Sequence, residues 1–189
     1  MQTDPNTGTL ILASASPRRR ELLGSLGIEF SVQIPAIDET PHPGELPRAY
    51  AERLAAEKAA AISAGAETIV VAADTIVVQG TTILGKPTDE SHAFEMLTGL
   101  SGKTHEVITG VCVKRGDTNK IFSVSTEVLF RTLEKAEIIS YIATGCPMDK
   151  AGAYAIQGGA AHMVKSINGS YTNVVGLPLC ELYKTLNSF

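Results

Sequence analysis

Three consecutive arginines stand at the start of a predicted helix in this sequence of 189 residues. They follow a short apolar run over 10–13, the serines Ser14 and Ser16, and Pro17. A hydroxyl residue followed by proline is typical of the first positions of a helix. Cations are unfavourable at that end of the helix dipole, by roughly 0.3 kcal/mol or more each. A bound polyanion would offset this cost, so the segment indicates either a phosphate-binding helix start or a solvated basic turn.

Asp74 is the sharpest single candidate for catalysis. It interrupts the most strand-like stretch of the sequence, the apolar run from 68 to 78. Burying a carboxylate there is costly unless the group has a partner or a chemical task. Because strand ends in α/β sheets border the ligand crevice, Asp74 is well placed for catalysis or for holding a metal. The alternative is a structural aspartate that closes a turn or pairs with a lysine.

Several other polar residues carry a weak signal when each is taken alone. Lys58, Lys86 and the acidic pair at 38–39 all fit ordinary surface charge. Gln157 lies in a glycine-rich stretch, where its amide could read a base edge as both donor and acceptor. The run over 80–87 nearly spells a phosphate-binding loop, but proline stands where a hydroxyl residue is needed, so we reject that motif. Together, the cations and acids suit a triphosphate bound through Mg²⁺.

The composition argues against several other classes of function. A net charge of −4 and an aromatic content of 5% argue against general binding of nucleic acid. The first residues lack the pattern of a secretion signal, and no apolar run reaches membrane-spanning length, so we expect a soluble, cytoplasmic protein without a membrane partner. The three cysteines and four histidines have no metal-ligand spacing, and an odd cysteine count argues against a disulfide framework.

These candidates need a fold that brings an N-terminal turn and a central strand together. The predicted strands lie over 10–13, 29–34, 68–78, 104–114 and 121–132, with the last two forming a hairpin. The predicted helices begin at 17, 47, 88, 134 and 178. Between the last two helices the sequence is glycine-rich and irregular. We therefore expect one mixed α/β domain over 10–189, with two lobes around a cleft, after a short tail over 1–9.

Sequence blocks that characterise one protein family occur here in order. They are LASASPRR (12–19), DE (38–39), EKA (57–59), ADT (73–75), GKP (85–87), LSG (100–102), DKAGAY (149–154), IQG (156–158), NGSY (168–171) and NVVGLP (173–178). Through these blocks the sequence resembles the Maf family of nucleoside triphosphate pyrophosphatases over nearly its whole length. The resemblance implies hydrolysis between the α and β phosphates with Mg²⁺ or Mn²⁺. It also implies a homodimer and a fold similar to inosine triphosphate pyrophosphatases, with an elongated mixed sheet, flanking helices and a central cleft.

The resemblance also implies roles for individual residues. Asp74 would accept the proton of the attacking water, and Glu39 and Asp74 would hold the metal. The further residues that the family pattern places in the substrate site are Ser14, Ser16, Arg18, Arg19, Lys58 and Lys86. Their cations would stabilise the pyrophosphate leaving group.

Three positions separate the subgroups of this family. Arg18, Thr75 and Gln157 match the pattern of the dTTP/UTP pyrophosphatases, in which Gln157 and Thr75 would select the pyrimidine. The 7-methyl-GTP subgroup differs, notably by a bulky aromatic residue at the first position. The alternatives to a dTTP/UTP pyrophosphatase are an enzyme for another or modified base, such as 7-methyl-GTP, and a non-catalytic nucleotide sensor that regulates cell division.

Overall fold

A computed structural model describes residues 9–189, so that the predicted tail lies outside the described residues except for Thr9. The strands are β1 (Leu10–Ala13), β2 (Phe30–Gln33), β3 (Ile69–Gln79), β4 (Thr82–Leu84), β5 (Thr104–Arg115), β6 (Thr118–Phe130) and β7 (Val164–Asn168). The helices are α1 (Pro17–Gly24), α2 (Pro47–Ala60), α3 (Glu90–Leu100), α4 (Lys135–Ile142), α5 (Tyr171–Val175) and α6 (Leu179–Leu186). The domain boundary at residue 10 stays a prediction.

The strands form one mixed sheet in the order β2-β1-β3-β5-β6-β7, and β4 pairs with β3 beside this path. Strand β1 runs parallel to both β2 and β3, whereas all the other pairs are antiparallel. The long hairpin of β5 and β6 is the one predicted from the sequence. The expected mixed sheet with flanking helices is therefore confirmed.

Along one edge of the central strand β3, the pairing with neighbouring strands has a gap. Strand β1 pairs with its first half, over 69–72, and β4 pairs with its last residues, over 77–79. Between them, 73–76 pair with β5 on the opposite edge and with no strand on this one. Asp74 lies in this gap, directly beyond the end of β1. A polar side chain can therefore reach open space from a strand whose neighbouring residues are buried.

Helices cover both faces of the sheet. Helix α2 packs on one face through a stripe of buried residues that includes Leu54 and Ala55, against Ala72 and Ile76 of β3. On the other face, helices α1 and α6 bury Leu23 and Leu182 against the first half of the sheet. Further along, helices α3 and α4 pack together over the long hairpin. Because side chains alternate along a strand, the Asp74 side chain lies on the α2 face and that of Thr75 on the α1 face.

The contact between α2 and β5 leaves no room for a side chain at Gly110. A Cβ atom there would lie 2.2 Å from the carbonyl oxygen of Ala51. We expect Gly110→Ala to lower the free energy of unfolding by at least about 2 kcal/mol, because the backbones must separate. Urea denaturation measures this. The matched control is Gly99→Ala in α3, where the nearest atom is 3.5 Å away and the change should be neutral or stabilising by up to roughly 1 kcal/mol.

Three short elements were not predicted from the sequence. Strands β4 and β7 and helix α5 have three to five residues each, and two of them lie in the stretch read as irregular. Such short segments bury too few residues to show a hydrophobic period, and pairing with longer strands stabilises them. Among the helices of residues 9–189, none combines the length and the apolar character that crossing a bilayer requires.

Candidate active site

The turn between β1 and α1 forms the first wall of the cleft. The Oγ of Ser14 is buried and accepts a hydrogen bond from the backbone N–H of Ser16 at 3.1 Å. In turn, the Ser16 Oγ accepts from the backbone N–H of Arg19 at 3.4 Å and caps α1, which begins at Pro17 as predicted. The serines therefore fix the position of the helix start.

The guanidinium of Arg19 is fixed by three hydrogen bonds. Its Nε donates to the carbonyl oxygen of Gly176 at 2.8 Å, its Nη2 to Thr75 Oγ1 at 2.9 Å, and its Nη1 to Ser14 Oγ at 3.4 Å. Burial lowers the pKa of Arg19 and the charge of Asp74 opposes that shift, so the group remains a cation at neutral pH. Arg18 also lines the cleft, and its side chain makes no hydrogen bond within residues 9–189.

Asp74, Lys58 and Glu39 form the charged centre of the site. The Nζ of Lys58 lies 2.6 Å from Asp74 Oδ1 and 2.7 Å from Glu39 Oε1. Lys58 thus bridges a nearly buried carboxylate and a half-exposed one. Burial raises the pKa of Glu39, but the hydrogen bond and charge of Lys58, with smaller effects of Lys86 and Arg19, outweigh it and leave the pKa below its ordinary value.

The interpretation of Lys58 as ordinary surface charge is wrong. Lys58 continues the buried stripe of the helix and is 9% exposed. Tyr50 lies about two turns before Lys58 on the same buried face of α2. It donates its hydroxyl proton to the backbone carbonyl of Glu39 at 2.7 Å. Helix α2 therefore supplies both the lysine and the anchor of the loop that carries Glu39.

The opposite wall comes from two loops. The turn after β4 carries Lys86, and the carbonyl oxygen of Gly85 beside it accepts from the backbone N–H of Gly152 at 3.0 Å. This bond joins the turn to the glycine-rich stretch, which contributes the ion pair of Asp149 and Lys150 and the exposed amide of Gln157. The cleft has a volume of about 620 Å³, which suits a small-molecule ligand.

A buried aromatic cluster supports this second wall. The hydroxyl of Tyr154, which lines the cleft, lies 2.7 Å from Nε2 of His105, and Phe130 packs edge-on against both rings. Burial lowers the pKa of His105 to about 4. Its Nδ1 has no hydrogen-bond partner within residues 9–189. His105 is therefore neutral at physiological pH and holds the glycine-rich stretch through Tyr154.

This histidine gives the protein a pH-dependent stability. Because its ordinary pKa of 6.5 applies to the unfolded chain, the unfolded state binds the proton more tightly. We expect the free energy of unfolding to fall as the pH decreases from about 6.5 towards 4, by up to roughly 3 kcal/mol, and to be level above pH 7. Urea titrations across this range measure it. His105→Gln should remove this part of the slope, whereas His162→Gln, at an exposed position, should leave it unchanged.

Comparison with known proteins identifies the family of the chain. A family model described as "Maf-like protein" matches residues 9–189. The chain belongs to the Maf family. It is 57% identical to a "dTTP/UTP pyrophosphatase" of Geobacter sulfurreducens, over 95% of each chain. It is 54% identical to one of Geobacter metallireducens, over 97% of each, and 48% identical to one of Photorhabdus laumondii, over 96% of this chain and 94% of the other.

One solved structure similar to this Maf-family chain is described as a nucleoside-triphosphatase / dITP/XTP pyrophosphatase from Mycobacterium abscessus. It is 12% identical, covers 66% of this chain and 75% of that chain, and gives a TM-score of 0.42. A likeness at this level supports no argument about function. The resemblance to the Maf family predicted from the sequence is confirmed by the family model and the relatives.

All the predicted site residues of this Maf-family chain line the same cleft. They are Ser14, Ser16, Arg18, Arg19, Glu39, Lys58, Asp74, Thr75, Lys86 and Gln157. Their individual roles stay predictions. Sequence reasoning gave no role to Tyr50, Thr109, Asp149 or Lys150. The hydroxyl of Thr109 sits in an apolar strand, where nothing in the local pattern marks it.

Proposed function

We propose that this protein hydrolyses dTTP and UTP to the nucleoside monophosphate and pyrophosphate. The observation that carries the proposal is the arrangement around Asp74, a carboxylate at a gap in the central strand with Lys58 at 2.6 Å. Arg19 lines the same cleft, where it can meet the charge of a polyphosphate. The relatives named dTTP/UTP pyrophosphatase, which match this chain over nearly its full length, support the choice of substrate.

In the proposed reaction Asp74 is the general base. It accepts a proton from a water molecule that attacks the α phosphorus, and the bond between the α phosphorus and the bridging oxygen breaks as pyrophosphate leaves. Lys58 orients the base by its hydrogen bond to Asp74 Oδ1. Arg19 and Lys86 stabilise the negative charge that grows on the leaving group. Because hydrogen bonds fix the guanidinium of Arg19 before the substrate binds, this group needs little reorganisation.

The residues present fit a divalent cation, and we propose Mg²⁺ or Mn²⁺ as the cofactor. The carboxylates of Glu39 and Asp74 lie close together, because one oxygen of each is within 2.7 Å of the Lys58 Nζ, and the second oxygen of each makes no hydrogen bond within residues 9–189. No group of three or more His, Cys, Asp or Glu side chains within residues 9–189 could hold a metal by itself. Two carboxylates with substrate phosphate oxygens are the usual Mg²⁺ site of phosphate-transfer enzymes. When bound, the metal would neutralise charge on the phosphates.

We assign recognition of the pyrimidine to the wall that carries Gln157. Its amide is exposed in the cleft and makes no hydrogen bond to residues 9–189, so both donor and acceptor remain available for a base edge. Arg18 lies at the same cleft and is also without a hydrogen-bond partner in the described part of the chain. An amide that offers one donor and one acceptor complements the carbonyl and N–H edge that thymine and uracil share.

We further propose a cytoplasmic homodimer. The resemblance to the Maf family supports the dimer, which sedimentation measures directly. Cys112, Cys146 and Cys180 are all free, as is usual in a reducing compartment, and the proposed substrates belong to the cytoplasmic nucleotide pool.

A panel of triphosphates tests the proposed function. The protein is incubated with Mg²⁺ or Mn²⁺ and dTTP, UTP, CTP, ATP or 7-methyl-GTP, and both pyrophosphate and orthophosphate are measured. We expect pyrophosphate from dTTP and UTP, and no orthophosphate. Preference for 7-methyl-GTP would contradict the assignment of thymine and uracil as the nucleobases that the protein selects. Saturable binding of nucleotides without turnover under all conditions would instead favour a regulatory sensor.

A further inference from the structure

Two threonines on neighbouring strands connect Arg19 to the core of the sheet. Thr75 of β3 and Thr109 of β5 are directly opposite each other in the antiparallel pair, and their Oγ1 atoms lie 2.9 Å apart. Thr75 Oγ1 also receives the hydrogen bond from Arg19 Nη2 at 2.9 Å. Thr109 is fully buried, and its Oγ1 lies 3.0 Å from the backbone carbonyl oxygen of Asn173.

The acceptor at the end of this series of hydrogen bonds sets the direction of every bond in the series. The carbonyl of Asn173 can only accept a hydrogen bond, so Thr109 donates its single hydroxyl proton to it. Thr109 must then accept from Thr75, and Thr75 in turn accepts from the guanidinium. The contact of Thr75 with the Gly176 carbonyl, at 3.5 Å, is too long to compete. Thr75 therefore has no proton left with which to bind a nucleotide base.

Arg19 keeps donors for a ligand in this arrangement. A guanidinium has five N–H donors, of which Gly176, Thr75 and Ser14 take one each. The remaining two, one on each terminal nitrogen, meet no acceptor within residues 9–189, and Arg19 lines the cleft. The threonines thus hold one edge of the guanidinium and leave N–H groups for phosphate oxygens.

We propose that Thr109 and Thr75 are positioning residues that fix the guanidinium of Arg19 for the triphosphate. This inference rests on the proposed function for the nature of the ligand. Thr109 touches no substrate and acts through Thr75, whose hydroxyl proton it accepts. Thr75, one of the positions that mark the dTTP/UTP subgroup, acts on the phosphate-binding arginine and makes no contact with the base. Loss of either hydroxyl should therefore lower the affinity and kcat/KM for all triphosphates by the same factor.

A double-mutant cycle tests this relay, the series of hydrogen bonds from Thr109 through Thr75 to Arg19. Five proteins are compared: wild type, Thr109→Val, Thr109→Ser, Arg19→Ala, and the double variant of Thr109→Val with Arg19→Ala. For each, kcat and KM for dTTP and for CTP are measured with Mg²⁺. Binding of a non-hydrolysable α,β-methylene dTTP is measured by calorimetry, and thermal unfolding is followed in parallel. Thr75→Val and Thr75→Ser, in the same two backgrounds, form a second cycle if Thr109→Val does not fold.

We expect Thr109→Val to lower kcat/KM by roughly ten-fold or more, equally for both nucleotides, because a hydrogen bond to a charged group is lost. Thr109→Ser should stay close to wild type. In the Arg19→Ala background Thr109→Val should change kcat/KM and nucleotide affinity by less than about two-fold, although its effect on thermal unfolding persists. Equal losses in both backgrounds, a selective loss for one base, or failure of serine to restore activity would overturn the relay.

The two proposals fail in different ways. Absence of turnover in wild type with coupled effects on nucleotide binding would contradict the proposed hydrolysis and support the relay. Normal turnover with additive effects would contradict the relay and leave the hydrolysis standing. If the wild-type protein neither binds nor hydrolyses triphosphates, both are wrong.

Discussion

Replacement of Asp74 by asparagine is expected to lower kcat for dTTP hydrolysis by roughly 10²–10⁴-fold, the usual contribution of a general base. Asparagine keeps the shape of the side chain and can still approach Lys58, but it cannot accept the proton of the attacking water. KM should change much less, because the cations that meet the phosphates remain in place. A continuous assay of pyrophosphate release measures both constants.

The matched control for this substitution is Asp117→Asn. Asp117 lies in the exposed turn between β5 and β6 and does not line the cleft. The Asp117→Asn protein should retain wild-type kcat and KM. Nearly full turnover by a folded Asp74→Asn protein would show that another group activates the water.

Replacement of Lys58 by methionine should have the largest effect on stability at the site. Methionine fills a similar volume but leaves Asp74 and Glu39 without the cation that bridges them. Because the side chains of Lys58 and Asp74 are only 11% and 12% exposed, the remaining carboxylate is poorly solvated. We expect the free energy of unfolding to fall by about 3 kcal/mol, as when one partner of a buried pair is removed. Denaturation in a chelating buffer measures this loss.

A divalent cation should restore part of that loss. With the ammonium gone, Mg²⁺ or Mn²⁺ can lie between the two carboxylates, so added metal should raise the melting temperature of Lys58→Met more than that of wild type. Lys165→Met, at an exposed position on β7, is the control and should show neither the loss nor the metal response. An equal metal response in all three proteins would contradict the assignment of Glu39 and Asp74 as metal ligands.

The parts of the fold that could be predicted are those in which the local sequence and the tertiary contacts agree. The apolar run of β1, the capping serine and the proline of α1 each act within a few residues, and the structure has all three where they were expected. The β5–β6 hairpin has long strands on both sides of a glycine turn. In such segments the hydrophobic period and the turn residue are sufficient.

The position of Lys58 shows where local reasoning fails. On a helical wheel it falls within the apolar stripe, but its charge favours an exposed interpretation, and nothing near it in sequence contradicts that. Its partners, Asp74 and Glu39, are 16 and 19 residues away along the chain. Burial of the lysine is stabilised by contacts that exist only after α2 has packed on the sheet.

The same reason accounts for Thr109. Within β5 it is one threonine among β-branched residues, and its pattern is that of an ordinary strand. Its link to Arg19 depends on the register between β3 and β5, which pairs it with Thr75. The family pattern marked Thr75 as important, but the direction of its hydrogen bonds could be read only from the folded chain.

Hydrolysis in water labelled with a heavy oxygen isotope shows which phosphorus the water attacks. In the proposed reaction, water activated by Asp74 attacks the α phosphorus and pyrophosphate leaves. Mass spectrometry of the products of dTTP should find one labelled oxygen in the nucleoside monophosphate and none in the pyrophosphate. Label in the pyrophosphate, or release of labelled orthophosphate, would place the attack on another phosphorus and contradict this account of the site.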